Sequence, residues 1–137
     1  MKTTAIVDSS GLVSIFSPND SNNILAIEVS EKISQKNQNI FIPSDVFSET
    51  LNIVGKKISH KIAYAIGHKL LTDKRFIILD TTIDIHQKAL EKFKTQAESV
   101  SFTDCIVMAV ADKYETTEIF GFDEAFHKNG YLRLGLD

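Results

Sequence analysis

One stretch, residues 99–123 (SVSFTDCIVMAVADKYETTEIFGFD), limits what this chain can fold into more than any other. Phe102, Ile106, Ala109 and Val110 recur at helical spacing, with Val107 and Ala111 beside them. That apolar arc is wider than a one-sided surface helix needs, so the helix is expected to be covered on more than one side. Ile119 and Phe120 then lead out as a strand to Gly121, Phe122 and Asp123. Asp104 falls in the first turn of the helix and Asp123 just past the strand. In an open α/β sheet, helix starts and the carboxyl ends of strands meet at one edge, where ligands bind.

The rest of the chain alternates in the same way. Thr3–Val7 reads as a strand ending on Asp8, followed by a Ser9-Ser10-Gly11 turn and a short helix that Pro18, Asn19 and Asp20 break. Ser21 to Lys36 reads as a helix with Ile24, Ala26, Ile27 and Ile33 inward. Ile40–Ile42 is a fully apolar strand, as expected of a parallel strand covered on both faces. Pro43 and Ser44 open a helix with Val46, Phe47, Thr50, Leu51 and Val54 inward and Glu49 on the flank. Ser59 to Thr72 follows as a helix with Ile62, Ala65, Ile66 and Leu70 inward. Phe76–Leu79 is a third strand, and Thr82 to Gln96 a helix burying Ile85, Ala89, Leu90 and Phe93. After the opening stretch, Asp123–Lys128 makes a helical turn and Tyr131–Leu134 an edge strand. This order predicts an α/β fold, a three-layer α/β/α sandwich on a mostly parallel sheet of four to five strands.

At 137 residues the chain is about one domain. Its 15 basic and 18 acidic residues leave a net charge of −3, so any grip on a phosphate backbone must come from a local basic face. The single cysteine, Cys105, lies in the apolar helix and reads as an inert packed thiol in a reducing compartment. No apolar run reaches the ~18 residues that span a bilayer. Asp8, Ser9 and Ser10 interrupt the N-terminal segment before it can serve as a secretory signal. The expectation is a soluble, cytoplasmic protein.

Four acids fall at or near strand ends or in the helices that follow: Asp8, Glu49, Asp104 and Asp123. A parallel sheet can bring all four to one rim. Two like charges ~4 Å apart repel by about 4 kcal/mol at an effective dielectric near 20. Proton uptake or a cation must relieve that repulsion. Mg²⁺ or Mn²⁺ suits an all-oxygen site that keeps several waters. Such an ion would activate a water and steady a phosphodiester as it is cut.

Four pieces in order, AIVDSSGLVSIF, FIPSDVFSETLNIV, VSFTDCIVMAVA and EIFGFDEAFHKNGYLRL, make the chain resemble a PIN domain. Among PIN domains it is similar to the small stand-alone VapC-type toxins. The resemblance covers nearly the whole chain and implies one PIN-like domain over residues 1–137. It implies a Mg²⁺- or Mn²⁺-dependent endoribonuclease with Asp8, Glu49, Asp104 and Asp123 as catalytic and metal-binding acids, and Ser10 as the hydroxyl beside the first. It further implies an RNA substrate, an antitoxin partner laying a tail over the acidic rim, and a homodimer. The family often carries Ser or Thr two positions before the last acid; here that place is Gly121.

Plainer readings stand beside these. Asp8 and Asp123 could each cap the helix that follows, and Ser101 with Asp104 forms an S-x-x-D capping box. Lys56, Lys57, His60, Lys61, His68 and Lys69 read first as a solvated face and second as phosphate contacts. A PIN-like module that binds RNA or a protein without cutting is the alternative to the nuclease.

Overall fold

The computed structural model describes residues 3–137. Five strands, β1 (Thr4–Val7), β2 (Asn39–Pro43), β3 (Phe76–Leu79), β4 (Glu118–Phe120) and β5 (Leu132–Arg133), form one sheet in the order β3-β2-β1-β4-β5, and every neighbouring pair is parallel. Seven helices connect them: α1 (Ser9–Phe16), α2 (Asn23–Gln35), α3 (Ser44–Lys57), α4 (His60–Thr72), α5 (Ile83–Phe93), α6 (Phe102–Lys113) and α7 (Glu124–Lys128). Helices α1 to α4 pack on one another in one layer, and α5 to α7 in the other.

The order of strands decides where a site can form. From β1 the chain steps outward to β2 and β3, then crosses back to lay β4 on the other flank of β1. Leading strands therefore diverge at β1 and β4, which opens a crevice at their carboxyl ends. The register places Val7 beside Phe120, so Asp8 and the residues after Phe120 leave the sheet side by side. The amide of Asp8 continues the ladder to the Phe120 carbonyl at 2.9 Å.

Helix α6 carries the densest burial. Every residue from Asp104 to Ala111 is buried, and α6 packs on α5, β1 and β2. This is the two-sided coverage its wide apolar arc predicts. Three other helices face differently from the sequence expectation. In α2, Ala26, Val29 and Ile33 point inward while Ile24 is 75% and Ile27 39% exposed. In α4 the buried line is Ala63, Ile66, Gly67 and Leu70, leaving Ile62 and Ala65 outside. In α5 only Ile85 and Ala89 are buried, with Leu90 and Phe93 exposed. Each of these helices has apolar residues on more than one stripe, and only one stripe meets its neighbour: α2 packs on α1, α4 on α3 and β3, and α5 on α6. Pro43 ends β2 and precedes α3 rather than occupying its first turn.

Candidate functional site

Three of the four acids are held by the helix starts at the crevice. Asp8 caps α1: its Oδ2 accepts from Ser10 N at 3.2 Å and from Ser10 Oγ at 2.7 Å. Asp123 caps α7, its Oδ1 accepting from Ala125 N at 2.9 Å. Asp104 sits in a reciprocal capping box, donating its amide to Ser101 Oγ at 3.0 Å while its Oδ2 accepts from Ser101 N at 3.1 Å. The structural roles foreseen for these residues are therefore present. They occupy only one oxygen each of Asp104 and Asp123; Oδ1 of Asp104 and Oδ2 of Asp123 have no hydrogen-bond donor among the described residues. Glu49 reaches the same place from the middle of α3, half-buried.

All four acids and Ser10 line one open cavity of about 370 Å³. A second, more enclosed cavity of about 160 Å³, near Leu12, Ile33, Leu70 and Phe76, is lined by no acidic residue. The charges in the crevice act on one another. Burial pushes the Asp8 carboxyl up to about 6; the Ser10 hydrogen bonds oppose this and the negative charge of Glu49 adds to it. Burial also pushes Asp104 up, to about 7, and the charges of Asp8 and Asp123 reinforce it. Among the described residues none of the four acids has a basic partner within salt-bridge distance.

Ser10 ties the crevice together. Its hydroxyl donates to Asp8 and accepts from the Phe122 amide at 3.0 Å, joining the start of α1 to the chain leaving β4. That closeness leaves no room for side chains in between. A Cβ on Gly11 would sit 2.5 Å from the Phe120 carbonyl oxygen, and one on Gly121 would sit 2.8 Å from Asp8 Cβ and 3.0 Å from Phe126. Gly121 is thus required by close approach, and Ser10 Oγ, 3.3 Å from where that Cβ would be, supplies a hydroxyl in the same space.

Among the described residues no group of three or more His, Cys, Asp or Glu is already arranged to hold a metal ion. The donor set nonetheless fits a hard divalent cation. Mg²⁺ is commonly bound through one or two carboxylates while keeping several waters, so a closed protein cage is not needed. Mutually repelling carboxylates lacking a basic partner meet the electrostatic condition for such an ion. The sequence reading did not place Asp20 and Lys57 here, yet both line the cavity. Asp20 was legible only as part of a helix-breaking turn, and Lys57 only as one of six basic residues read first as a solvated face and second as phosphate contacts, with nothing to single it out.

The PIN domain family model matches residues 5–130, and the chain belongs to the PIN domain family. Among solved structures it is similar to that of Mycobacterium tuberculosis VapC20, described as a Sarcin-Ricin loop cleaving toxin. The TM-score is 0.82 at 20% identity, over 95% of this chain and 98% of that one. The likeness at that identity is one of fold. No curated protein matches the chain.

Proposed function

We propose that this protein is a Mg²⁺- or Mn²⁺-dependent endoribonuclease and the toxin of a toxin–antitoxin pair. One observation carries the reading: at the switch point of the sheet, Asp8, Glu49, Asp104 and Asp123 line one cavity, and none of them has a basic partner within salt-bridge distance among the described residues. Membership of the PIN family and the fold shared with a Sarcin-Ricin loop cleaving toxin support it.

The four acids would hold the ion. Ser10 fixes Asp8 through Oδ2, and the capping box fixes Asp104, so two carboxylates are pre-oriented before any ligand arrives. Burial and the charges of Asp8 and Asp123 push Asp104 up to about 7, and a cation held at the rim would favour its charged form. A bound divalent ion supplies an activated water and offsets the charge of the phosphodiester. The acids would otherwise repel RNA.

The proposal also includes RNA as substrate, a single PIN-like domain over residues 1–137, a cytoplasmic location, and, on the family resemblance alone, a homodimer and an antitoxin whose tail covers the acidic rim. No helix among the described residues is long and apolar enough to cross a membrane. The test is cleavage of labelled RNA with Mg²⁺ or Mn²⁺ by the purified protein and by Asp8→Asn and Asp104→Asn. Cutting that needs metal and is lost in both folded variants supports the reading; undiminished cutting by both rejects it.

A further inference from the structure

The acid cavity has one basic residue in its lining, Lys57, at the last turn of α3. Five acids line the same cavity, Asp20 included, yet Lys57 makes no salt bridge among the described residues. It is exposed and also lines an adjoining cavity of about 260 Å³ with Ser17, Pro18, Asn19, Asp20 and Ile58. Lys57 and Asp20 are the residues the two cavities share. Neither cavity is lined by Lys56, its neighbour on the helix.

We propose that Lys57 contacts a phosphate next to the scissile one, and that the RNA strand leaves the acid cavity over Lys57 into the Pro18–Ile58 cavity. This rests on the ribonuclease reading. A flexible lysine is a point charge for a phosphate, and its place at the junction matches a backbone that must pass from one cavity to the next. The second cavity offers the flanking nucleotide an apolar wall, Pro18 and the 38% exposed Ile58, with Ser17 and Asn19 for hydrogen bonds.

The probe is a fluorescein-labelled, mixed-sequence single-stranded RNA of 16 nucleotides with Mn²⁺. Binding is read by anisotropy across a salt series for the cleavage-impaired Asp104→Asn chain, alone and with Lys57→Gln, Lys57→Arg or Lys56→Gln added. Cleavage is read on gels in the otherwise wild-type chain. Lys57→Gln is expected to weaken binding about fivefold to tenfold and to flatten the salt slope by about 0.7, the value for one phosphate contact on a single strand. Lys57→Arg restores both, and Lys56→Gln changes neither. Equal behaviour of Lys57→Gln and Lys56→Gln overturns the contact, while cutting by the wild-type chain leaves the nuclease reading standing. A wild-type chain that never cuts, with the Lys57 effect intact, removes the nuclease reading and keeps the contact. Absence of RNA binding by the Asp104→Asn parent overturns the contact.

Discussion

Asp8 and Asp73 sit in the same local motif and meet opposite fates. Each accepts hydrogen bonds from the residue two positions on: Ser10 for Asp8, and Arg75 for Asp73 through its amide at 3.0 Å and its guanidinium at 2.8 Å. The Arg75 side chain at the surface holds Asp73 down to about 2, whereas burial beside Glu49 pushes Asp8 up to about 6. The pattern extends beyond this pair. Arg133 hydrogen-bonds Asp137 and holds its carboxyl well below the usual range, and Lys92 pairs with Asp112 at 2.7 Å. The chain has 15 Lys and Arg to deploy and sets several against acids elsewhere, but none within salt-bridge distance of the four crevice acids among the described residues. An anionic cluster without an ion pair of its own, in a protein that pairs other acids, is suited to a cation from outside.

The largest effect that could break this comparison is on catalysis. Asp8→Asn and Asp104→Asn are each expected to lower RNA cleavage about a thousandfold, since charge stabilisation by a bound ion amounts to several kcal/mol. At Asp8, the N-cap of α1, Asn caps as well as Asp; at Asp104, in the first turn of α6, an Asn amide oxygen still accepts from the Ser101 amide, and both changes remove a buried acid. Melting temperatures at pH 7.5 without metal should therefore stay level or rise. A variant that loses activity together with its fold would make these acids structural residues only.

Next in size is the response to pH without metal. Asp8 has a folded value near 6, above the usual 3.8, so between those values the folded chain binds more protons than the unfolded one. The stability this gives is fully present below about pH 4 and is lost as pH rises through 6; Asp104 extends the loss to about 7. For the buried Asp8 alone the swing is about 3 kcal/mol, as an order of magnitude. Asp73 works the other way: its stabilisation is present above about pH 4 and is lost as pH falls toward 2. In EDTA the melting temperature is expected to fall from pH 5 to pH 8, and Mn²⁺ should restore it at pH 8. A melting temperature that climbs from pH 5 to 8 in EDTA would mean the crevice acids are not under mutual strain.

Gly121 sharpens the comparison at close range. Gly121→Ser puts a Cβ within 2.8 Å of Asp8 Cβ and 3.0 Å of Phe126, which is fully buried. Overpacking of this kind costs about 1–3 kcal/mol, readable by denaturant melts. Cleavage should fall as well, because Asp8 and Ser10 are the groups displaced. A serine accepted there without loss of stability would show that the absent hydroxyl, and not the close approach, is what distinguishes this position.

These effects depend on features that the sequence revealed unevenly. Ile40–Ile42 read as a covered parallel strand because it is wholly apolar, and α6 as a covered helix because its arc is too wide for one face; Phe76–Leu79 read only as a strand, and its place at the sheet edge, with Ile77 exposed, was not legible. Asp8 and Asp104 drew two readings, cap and rim acid; the structure has them capping helices and lining the cavity together, since a carboxylate has two oxygens. Helix facing was less legible. Ile24, Ile62 and Leu90 are as apolar as their buried neighbours, and only the position of the packing neighbour, α1, α3 or α6, decides which stripe turns inward. Lys57 and Asp20 lie 37 residues apart in the chain and meet at one cavity through the packing of α1 on α3, a contact that no local pattern encodes.

The smallest expected effect lies where the acids are compensated. Lys92 Nζ bonds Asp112, which also accepts from Tyr131 Oη at 2.6 Å, so this group links α5, α6 and the approach to β5. Burial pushes the Tyr131 hydroxyl up to about 12, which keeps it a donor at all ordinary pH. Lys92→Met should cost about 1 kcal/mol or less, because the half-exposed Asp112 regains water when its partner leaves. The rim responds differently: there a removed acid relieves repulsion, and stability holds or rises. Thermal melts of Lys92→Met and Asp104→Asn at pH 7.5 without metal read the contrast directly, one falling slightly and the other not. Equal losses in both would show that the rim acids stabilise the fold as ordinary paired groups do, and the case for an outside cation would go with them.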